Sequence, residues 1–388
     1  MKANLATLGY GRDVFRPDHE GFRETTRRFF QRNIEPNVRQ WEVDGFFPAE
    51  LFREAGRAGL LCASIPAEYG GAGGDLLHHM ILHEEHGYST AGAALEAGLT
   101  TDLTANIIYD SGTEEQKRTW LPFFASGEGI AEVGLTEPGA GSDARGIKTI
   151  AKRDGNDYVI NGQKMWMSNG PILTVLFVIS KIMLAGGREG TAMFIVPMDT
   201  KGVTRSKPTE LMMKSCGGAC EVFFDDVRVP ARYLLGEEEG LGLKQALNSI
   251  GLGRVAAAAR SIAACELALE ITVDFVKNRS AFGQTIFDFQ NTQFKLASTA
   301  TEITAARAFV DSVLRKMTEG EVGSVESAKL KLFCTELEGR VMDECLQLHG
   351  AAGYSNEYAI SKMYAFARIH RIYIGTSEIM RTVIGRSL

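Results

Sequence analysis

Asp154-Gly-Asn-Asp-Tyr-Val-Ile-Asn-Gly162 sets a short aromatic and β-branched run, Tyr158-Val159-Ile160, between two turn pairs, Asp154-Gly155 and Asn161-Gly162. Such pairs supply the positive φ angles of tight hairpins, so the segment predicts a strand with a hairpin turn at each end. Working outward, β-branched runs recur at 147–150, 174–179, 193–196 and 222–229. Residues 128–236 therefore read as a β domain, sandwich-like or barrel-like.

The flanks change period. Residues 1–127 read as helical, with Phe22, Phe29 and Phe30 on one face of an early helix. Pro48-Ala-Glu-Leu-Phe-Arg-Glu-Ala-Gly56 opens a second helix on a proline, and residues 89–110, rich in Ala, Gly and Leu, read as a buried small-residue helix. Residues 237–388 return to long helices. Ile303, Ala306, Val310, Val313, Leu314 and Met317 recur at three-four spacing, as do Cys334, Leu337, Val341, Cys345 and Leu348 before a stop at Gly350. The fold class is thus α+β and multi-domain, a helical block, a β domain and a helical bundle. No βαβ alternation supports a dinucleotide fold.

Of the 388 residues, 45% are hydrophobic and 23% charged, which suits several packed cores and excludes a disordered chain. Net charge is −6 with no run of one sign, which argues against nucleic acid as a partner. No stretch reaches the roughly 20 apolar residues of a membrane span, and the N-terminal residues lack a signal-like apolar core. The six scattered cysteines suit reduced thiols. A cytoplasmic protein is expected.

Two segments carry chemistry. Leu135-Thr-Glu-Pro-Gly-Ala-Gly-Ser-Asp143 joins a strand to a glycine-rich loop, which either cradles a phosphate or is a plain Pro-Gly turn. Lys164-Met-Trp-Met-Ser-Asn-Gly170 places a large aromatic and a hydroxyl where strands meet, a seat for a flat ring. Other clusters have bland readings. His79, His83 and His86 share a helical face, but His83-Glu-Glu-His86 lacks zinc-protease spacing, and neighbouring acids can satisfy the rings at a surface. Cys216-Gly-Gly-Ala-Cys220 has no second cysteine pair, and Phe287, Phe289 and Phe294 read as packing. No metal is expected.

These segments, together with Arg279-Ser-Ala-Phe-Gly-Gln284, Gln347-Leu-His-Gly-Ala-Ala-Gly353 and Tyr373-Ile-Gly-Thr-Ser-Glu-Ile379, resemble the acyl-CoA dehydrogenase family, in order and over almost the whole chain. The resemblance implies an N-terminal helical domain, a middle β domain, a C-terminal four-helix bundle, FAD as cofactor, and a homotetramer built as a dimer of dimers. By position, Thr136 resembles the threonine at the flavin pyrimidine edge and Ser142 the pyrophosphate-side serine. Trp166 resembles the aromatic on the flavin, and Ser168 the hydroxyl near N5. Arg279, Phe282, Gln290, Gln347 and Gly350 resemble groups that reach FAD from the neighbouring subunit, a fixed cation suiting a diphosphate. Thr376 and Glu378 resemble the contacts to its adenine half.

The reaction implied is α,β-dehydrogenation of an acyl thioester, with electrons passing to an electron-transfer flavoprotein-like acceptor. The Ile374 backbone N–H would stabilise the enolate-like thioester oxygen. Here the chain departs from the resemblance. Most members carry the catalytic Glu where this chain has Ile374, and a smaller branch carries it where this chain has Gly253, before Arg254. Three explanations follow: a relocated base, with Glu96 the candidate and Asp102 about 240° further round a common helix; a heterotetramer in which this chain only organises FAD; or different chemistry, such as enoyl-thioester reduction or an acyl-carrier-protein substrate.

Overall fold

The computed structural model describes residues 12–95, 98–99, 101–213 and 216–388. In chain order come helices α1 (Pro17–Phe29), α2 (Val38–Asp44), α3 (Glu50–Arg57), α4 (Leu76–Gly87), α5 (Thr101–Ser111) and α6 (Glu114–Ala125). Strands follow: β1 (Ala131–Gly134), β2 (Ile150–Asp154), β3 (Asp157–Met167), β4 (Val175–Met183), β5 (Glu189–Pro197), β6 (Val203–Arg205) and β7 (Cys220–Pro230). The chain ends with α7 (Gly242–Asn278), the hairpin β8 (Ser280–Ala281) and β9 (Gln284–Thr285), α8 (Gln290–Thr318), α9 (Ser324–His349), α10 (Ala359–His370) and α11 (Ser377–Gly385). The order helix, sheet, helix is the one the sequence predicts. Compactness groups these elements into two units, one of residues 38–75 and 95–250, the other of residues 1–37, 76–94 and 251–388.

In the first unit a single seven-stranded sheet runs β1-β4-β2-β3-β7-β6, with β5 added on β4. Strand side chains alternate between faces, and β4 is apolar on both. Val175, Phe177 and Ile179 join Ile107, Ile108, Trp120 and Phe124 of α5 and α6 in one core. Leu176 and Val178 join Tyr158, Phe194, Val222 and Val229 in another. The Asp154-Gly155 turn closes the β2–β3 hairpin as expected, with Asp154 paired to Asp157. Asn161-Gly162 is not a turn. It is a bulge inside β3 where the register against β7 slips, with Gly162 at φ +142° and its Cα so close to Thr149 that a Cβ would fall 2.5 Å from Oγ1. The side chain of Asn161 exchanges two 2.9 Å hydrogen bonds with Asp226, which explains why the pair survives mid-strand.

Residues 89–110 are not one helix. The described residues form a short 3₁₀ turn at Gly92–Leu95, then Gly98 at φ +70°, and α5 starts afresh at Thr101. Gly92 is required where it stands, since a Cβ would meet the His86 carbonyl oxygen at 2.1 Å.

In the second unit α7, α8, α9 and α10 surround a core of Ile262, Cys265, Ile303, Val310, Leu314, Cys334, Leu337, Val341 and Ile360, with Leu77 and Met80 of α4 packed into it. The predicted three-four stripes are its inward faces, and all six cysteines of the chain are buried free thiols. No helix among the described residues is long and apolar enough to cross a membrane.

The same unit buries an ion network. Glu84 accepts from both Arg12 terminal nitrogens at 2.8 Å, from Arg23 at 2.8 Å and from Arg307 at 2.7 Å, while Arg307 also binds Glu266 at 2.7 Å and Arg12 binds Asp311 at 2.5 Å. Glu85 accepts from Arg27 at 2.8 Å. The acids beside the histidines therefore face arginines and do not serve the rings at a surface. His86 instead bonds the Gly92 carbonyl at 2.7 Å, and burial pushes His83 and His86 well below the usual imidazole range.

Burial pushes the Glu84 carboxyl up, but Arg12, Arg307 and Arg23 outweigh it and hold the group far below the usual carboxylate range. A depressed folded value adds stability that is present above the unfolded carboxyl value of 4.5 and lost as pH falls below it. Glu84→Gln leaves three buried guanidiniums short of a counter-charge and should cost about 3–5 kcal/mol. Denaturant unfolding of both proteins at neutral pH checks this, and an unchanged midpoint would refute it.

Candidate functional site

In the first unit the two segments singled out from sequence meet. Gly134 ends β1 with a Cβ position only 3.1 Å from the Lys164 stem, so glycine lets the lysine pass. Lys164, fully buried, donates to Glu137 Oε1 at 2.7 Å and to the Leu135 carbonyl at 3.3 Å. Glu137 also accepts the backbone N–H groups of Lys148 at 2.6 Å and Thr149 at 3.0 Å. Burial pushes this carboxyl up, but the ammonium and those N–H groups prevail and hold it below the usual range. Met165 N–H donates to the Thr136 carbonyl at 2.9 Å, which ties loop to strand.

The strand then breaks register between Lys164 and Met167. Trp166 sits in the break at φ +67° and is 48% exposed, a flat face held in a conformation that bulky residues rarely adopt. Thr136 and Ser168 are half-buried, Ser142 is exposed, and Asn169 is buried at φ +55°. The glycine-rich stretch is closed by reciprocal 3.0 Å bonds between Glu137 and Ala140, and Gly139 and Gly141 have no atom within 4 Å of a Cβ position. It is a tight turn with an open outer face.

In the second unit the residues matched to the neighbour-reaching set lie at exposed ends of helices. Phe282 and Gly283, at φ +52° and +83°, form the two-residue turn of β8–β9 with both central φ positive. Phe282 is 97% exposed, beyond what a phenylalanine with nothing to cover it repays. Arg279 lies at the hairpin base, its carbonyl accepting the Ile286 N–H at 2.7 Å. It borders a cavity of about 470 Å³ with Asp274, Phe275, His349 and Tyr358, in which the Phe275 and His349 rings stack at 4.3 Å. Gln290 and Gln347 are exposed at a helix start and a helix end, and Gly350 caps α9 at φ +58° as expected. Phe294 of the predicted packing cluster is 61% exposed.

The C-terminal motif of that unit turns a sharp corner. Ile374 and Gly375 sit at φ +54° and +95°, and for a β-branched residue the first is a marked outlier. Thr376 caps α11 by accepting the Ile379 N–H at 3.3 Å, while Glu378 points outward, 3.7 Å from Arg381. Two buried cations hold the corner: Lys331 donates to the Gly375 carbonyl at 2.8 Å, and Arg254 Nε lies 3.5 Å from the Ile374 carbonyl. Burial, reinforced by Arg254, pushes the Lys331 ammonium down to about 8, and burial pushes the Tyr373 phenol up to about 12. Glu96 lies outside the described residues, as does the side chain of Asp102. The histidines read against metal do not form a metal-spaced trio. Among the described residues Asp18, His19 and His78 have ligand atoms within 4.8 Å of one another, with Asp18 exposed and held by Arg16 at 3.0 Å.

The sequence matches three domains of one family: "Acyl-CoA dehydrogenase, N-terminal domain" over residues 16–128, "middle domain" over 133–227 and "C-terminal domain" over 240–388. The chain belongs to the acyl-CoA dehydrogenase family. It is 37% identical over 379 residues to the long-chain specific acyl-CoA dehydrogenase of Mus musculus mitochondria, covering 97% of this chain and 88% of that protein. Among solved structures, an acyl-CoA dehydrogenase from Geobacillus kaustophilus superposes with a TM-score of 0.92 at 36% identity, covering 97% of this chain and 99% of that one. A glutaryl-CoA dehydrogenase from Mycobacterium smegmatis in complex with FADH2 gives 0.88 at 29% identity, covering 96% and 95%. The chain is thus an acyl-CoA dehydrogenase-like flavin oxidoreductase, an enzyme acting on CH–CH groups.

The sequence reading missed Glu137 with Lys164, and Lys331 with Arg254. A signal was available for the first pair, since a charge next to Thr136 and another late in a β-strand beside Met165 and Trp166 demand partners. Lys331 lies within a helical stripe between Leu330 and Cys334, where only its burial reveals it. Its folded value lies below the ordinary 10.5, so between about 8 and 10.5 the unfolded chain binds the extra proton and stability rises with pH. Lys331→Met should abolish that rise, read as the denaturant midpoint across the window. A rise of the same size in the variant would assign it elsewhere.

Proposed function

We propose that the chain binds FAD and dehydrogenates an acyl thioester, acyl-CoA or an acyl-carrier thioester, at the α,β bond, with electrons leaving to an electron-transfer flavoprotein-like acceptor. The observation that carries this is Trp166, a half-exposed ring held at positive φ by a strand break whose neighbour is bonded to Thr136. A surface ring kept under strain needs a purpose, and a flat cofactor supplies one. Thr136, Trp166 and Ser168 would hold the flavin and Ser142 the pyrophosphate side. Arg279, Phe282, Gln290, Gln347 and Gly350 would serve a neighbouring subunit's FAD in a homotetramer, and Thr376 and Glu378 its adenine half. The exposure of Phe282 and the polar, aromatic cavity at Arg279 fit that use. Bound FAD supplies the hydride acceptor.

The chain's own groups supply the rest. The Ile374 N–H, beside the corner whose Ile374 and Gly375 carbonyls Arg254 and Lys331 approach, would donate to the thioester oxygen as charge builds there. A backbone donor tolerates any side chain, so this function survives the isoleucine. Neither Ile374 nor Gly253 can take the α-proton, and Glu96 is the proton acceptor we propose. The same two positions support a second reading, reduction of an enoyl thioester. A heterotetramer in which a homologous chain brings the carboxylate is the remaining arrangement.

Purified chain should carry FAD stoichiometrically, and anaerobic saturated acyl-CoA should bleach it. Glu96→Gln should abolish bleaching with FAD content unchanged, and Ile374→Glu in that background should restore it by at least tenfold. Bleaching by wild type and Glu96→Gln at equal rates removes Glu96 from the role. A protein that stays colourless with added FAD removes the whole reading. Trp166→Ala should release FAD at least tenfold faster, as followed by flavin fluorescence on dilution.

A further inference from the structure

The corner at Ile374 holds more positive charge than its own residues answer. Lys331, fully buried, meets the Gly375 carbonyl at 2.8 Å, and Arg254 Nε lies 3.5 Å from the Ile374 carbonyl. Both of those partners are uncharged. The carboxylates among the described residues that act on Lys331 are Glu336 and Glu378, and both are already taken. Glu336 pairs with Arg371 at 3.4 Å and Arg381 at 3.6 Å and accepts from the Ser377 hydroxyl at 2.6 Å, while Glu378 lies 3.7 Å from Arg381. Among the described residues no carboxylate acts on Arg254, and burial alone pushes its guanidinium down. Lys331, Arg254, Arg371 and Arg381 therefore stand against Glu336 and Glu378. Neither Ile374, which Arg254 approaches, nor Gly253, which precedes it in the chain, is acidic.

Arg254 can receive an anion from outside the protein. It is 8% exposed, and its terminal nitrogens have no hydrogen-bond partner among the described residues yet are not sealed from solvent. Residues 373–376 beside it are only half-buried, so the corner is reached from solvent as well. A guanidinium presents its donors as a planar fork that a carboxylate meets with both oxygens, a charge-assisted contact stronger than one to a carbonyl. A cation kept out of water with neutral partners alone is costly, so the corner favours a ligand that brings the opposite charge. Position narrows the choice of ligand. The Nε contact puts the guanidinium one peptide unit from the Ile374 N–H proposed to hold the thioester oxygen. An anion on Arg254 and a thioester oxygen on that N–H belong to one short acyl chain, whereas the phosphates of CoA lie at the far end of its pantetheine arm.

We infer that Arg254 is a subsite for a carboxylate carried by the acyl group itself, so that the substrate is the monothioester of a short dicarboxylic acid. The inference rests on the acyl-thioester reading above and narrows it. Lys331, being fully buried, contributes field and not contact. A charge that builds only during reaction answers the excess only then, whereas a carboxylate on the substrate answers it from the moment of binding.

The test is equilibrium binding, by calorimetry on the FAD-loaded enzyme, of acyl-CoA pairs that differ only in a terminal carboxylate against a terminal methyl, across acyl lengths from four to eight carbons. At one length the carboxylated member should bind at least tenfold tighter than its partner. Arg254→Gln, which keeps a hydrogen-bond donor and loses the charge, should shrink that ratio to within about twofold in protein that still carries FAD. Ile374→Glu, on a different element, brings a carboxylate of its own to the corner and should take the ratio below one. Equal or weaker binding of the carboxylated member at every length in wild type overturns the subsite, as does a tenfold ratio that survives in flavin-loaded Arg254→Gln. Binding of neither member by the flavin-loaded wild type overturns the acyl-thioester reading, and the subsite with it.

Discussion

The buried pair Lys164 and Glu137 is the constraint on which the candidate site around Trp166 depends. An ammonium and a carboxylate taken out of water are tolerated only when every remaining donor and acceptor is met, and here two backbone N–H groups and a carbonyl complete the set. The consequence is positional. The glycine-rich turn cannot drift from β3, and β3 cannot regain its register beyond Lys164, so Trp166 is held out toward solvent. Replacing the pair by apolar residues of equal volume could leave the domain stable while freeing that ring. Stability and site geometry are thus carried by the same contact but need not fail together.

Backbone strain marks the rest of the candidate site. Seven non-glycine residues among those described have positive φ, and Trp166, Asn169, Phe282 and Ile374 among them lie in the segments that carry the family resemblance. Each such residue costs of order 1–3 kcal/mol. Chance clustering is a poor account, because the strained positions lie on a strand break, a hairpin tip and a helix-entry corner, three unrelated local structures. Of these, Trp166 and Phe282 present a ring outward, while Asn169 is buried. The corner at Ile374 shows how the strain is met: the successive carbonyls of Ile374 and Gly375 are each approached by a buried cation, which fixes the Gly375 amide between them.

Much of this was legible from the residues. Helical stripes in α8 and α9, the stop at Gly350 and the β-branched runs all follow from periodicity, which local chemistry imposes whatever the tertiary context. The Asp154-Gly155 hairpin was equally plain. Asn161-Gly162 was not, because an asparagine-glycine pair has the same propensity in a bulge as in a turn, and only Asp226 on the partner strand decides between them. The small-residue stretch 89–110 misled for a similar reason: alanine favours a helix, but glycines forced by close backbone approach at Gly92 and by positive φ at Gly98 break it. Glu84 and Glu85 were legible as charged and illegible as partners, since their arginines lie tens to hundreds of residues away.

The corner also bears on the missing acid. Arg254 and Lys331 are buried beside Ile374, and among the described residues neither forms an ion pair with a carboxylate. Burial alone lowers the Arg254 guanidinium, and burial with Arg254 lowers Lys331, so the pair already strains against its own charge. A glutamate at position 374 would relieve that strain and would itself be pulled toward the ionised form. An isoleucine there leaves the positive field uncompensated and directed at whatever negative charge develops nearby. In the reaction proposed above, an enolate-like thioester oxygen would be such a charge, formed only as the reaction proceeds. The substitution that removes a base can therefore strengthen the differential stabilisation of the charged state, provided that a proton acceptor is found on another element.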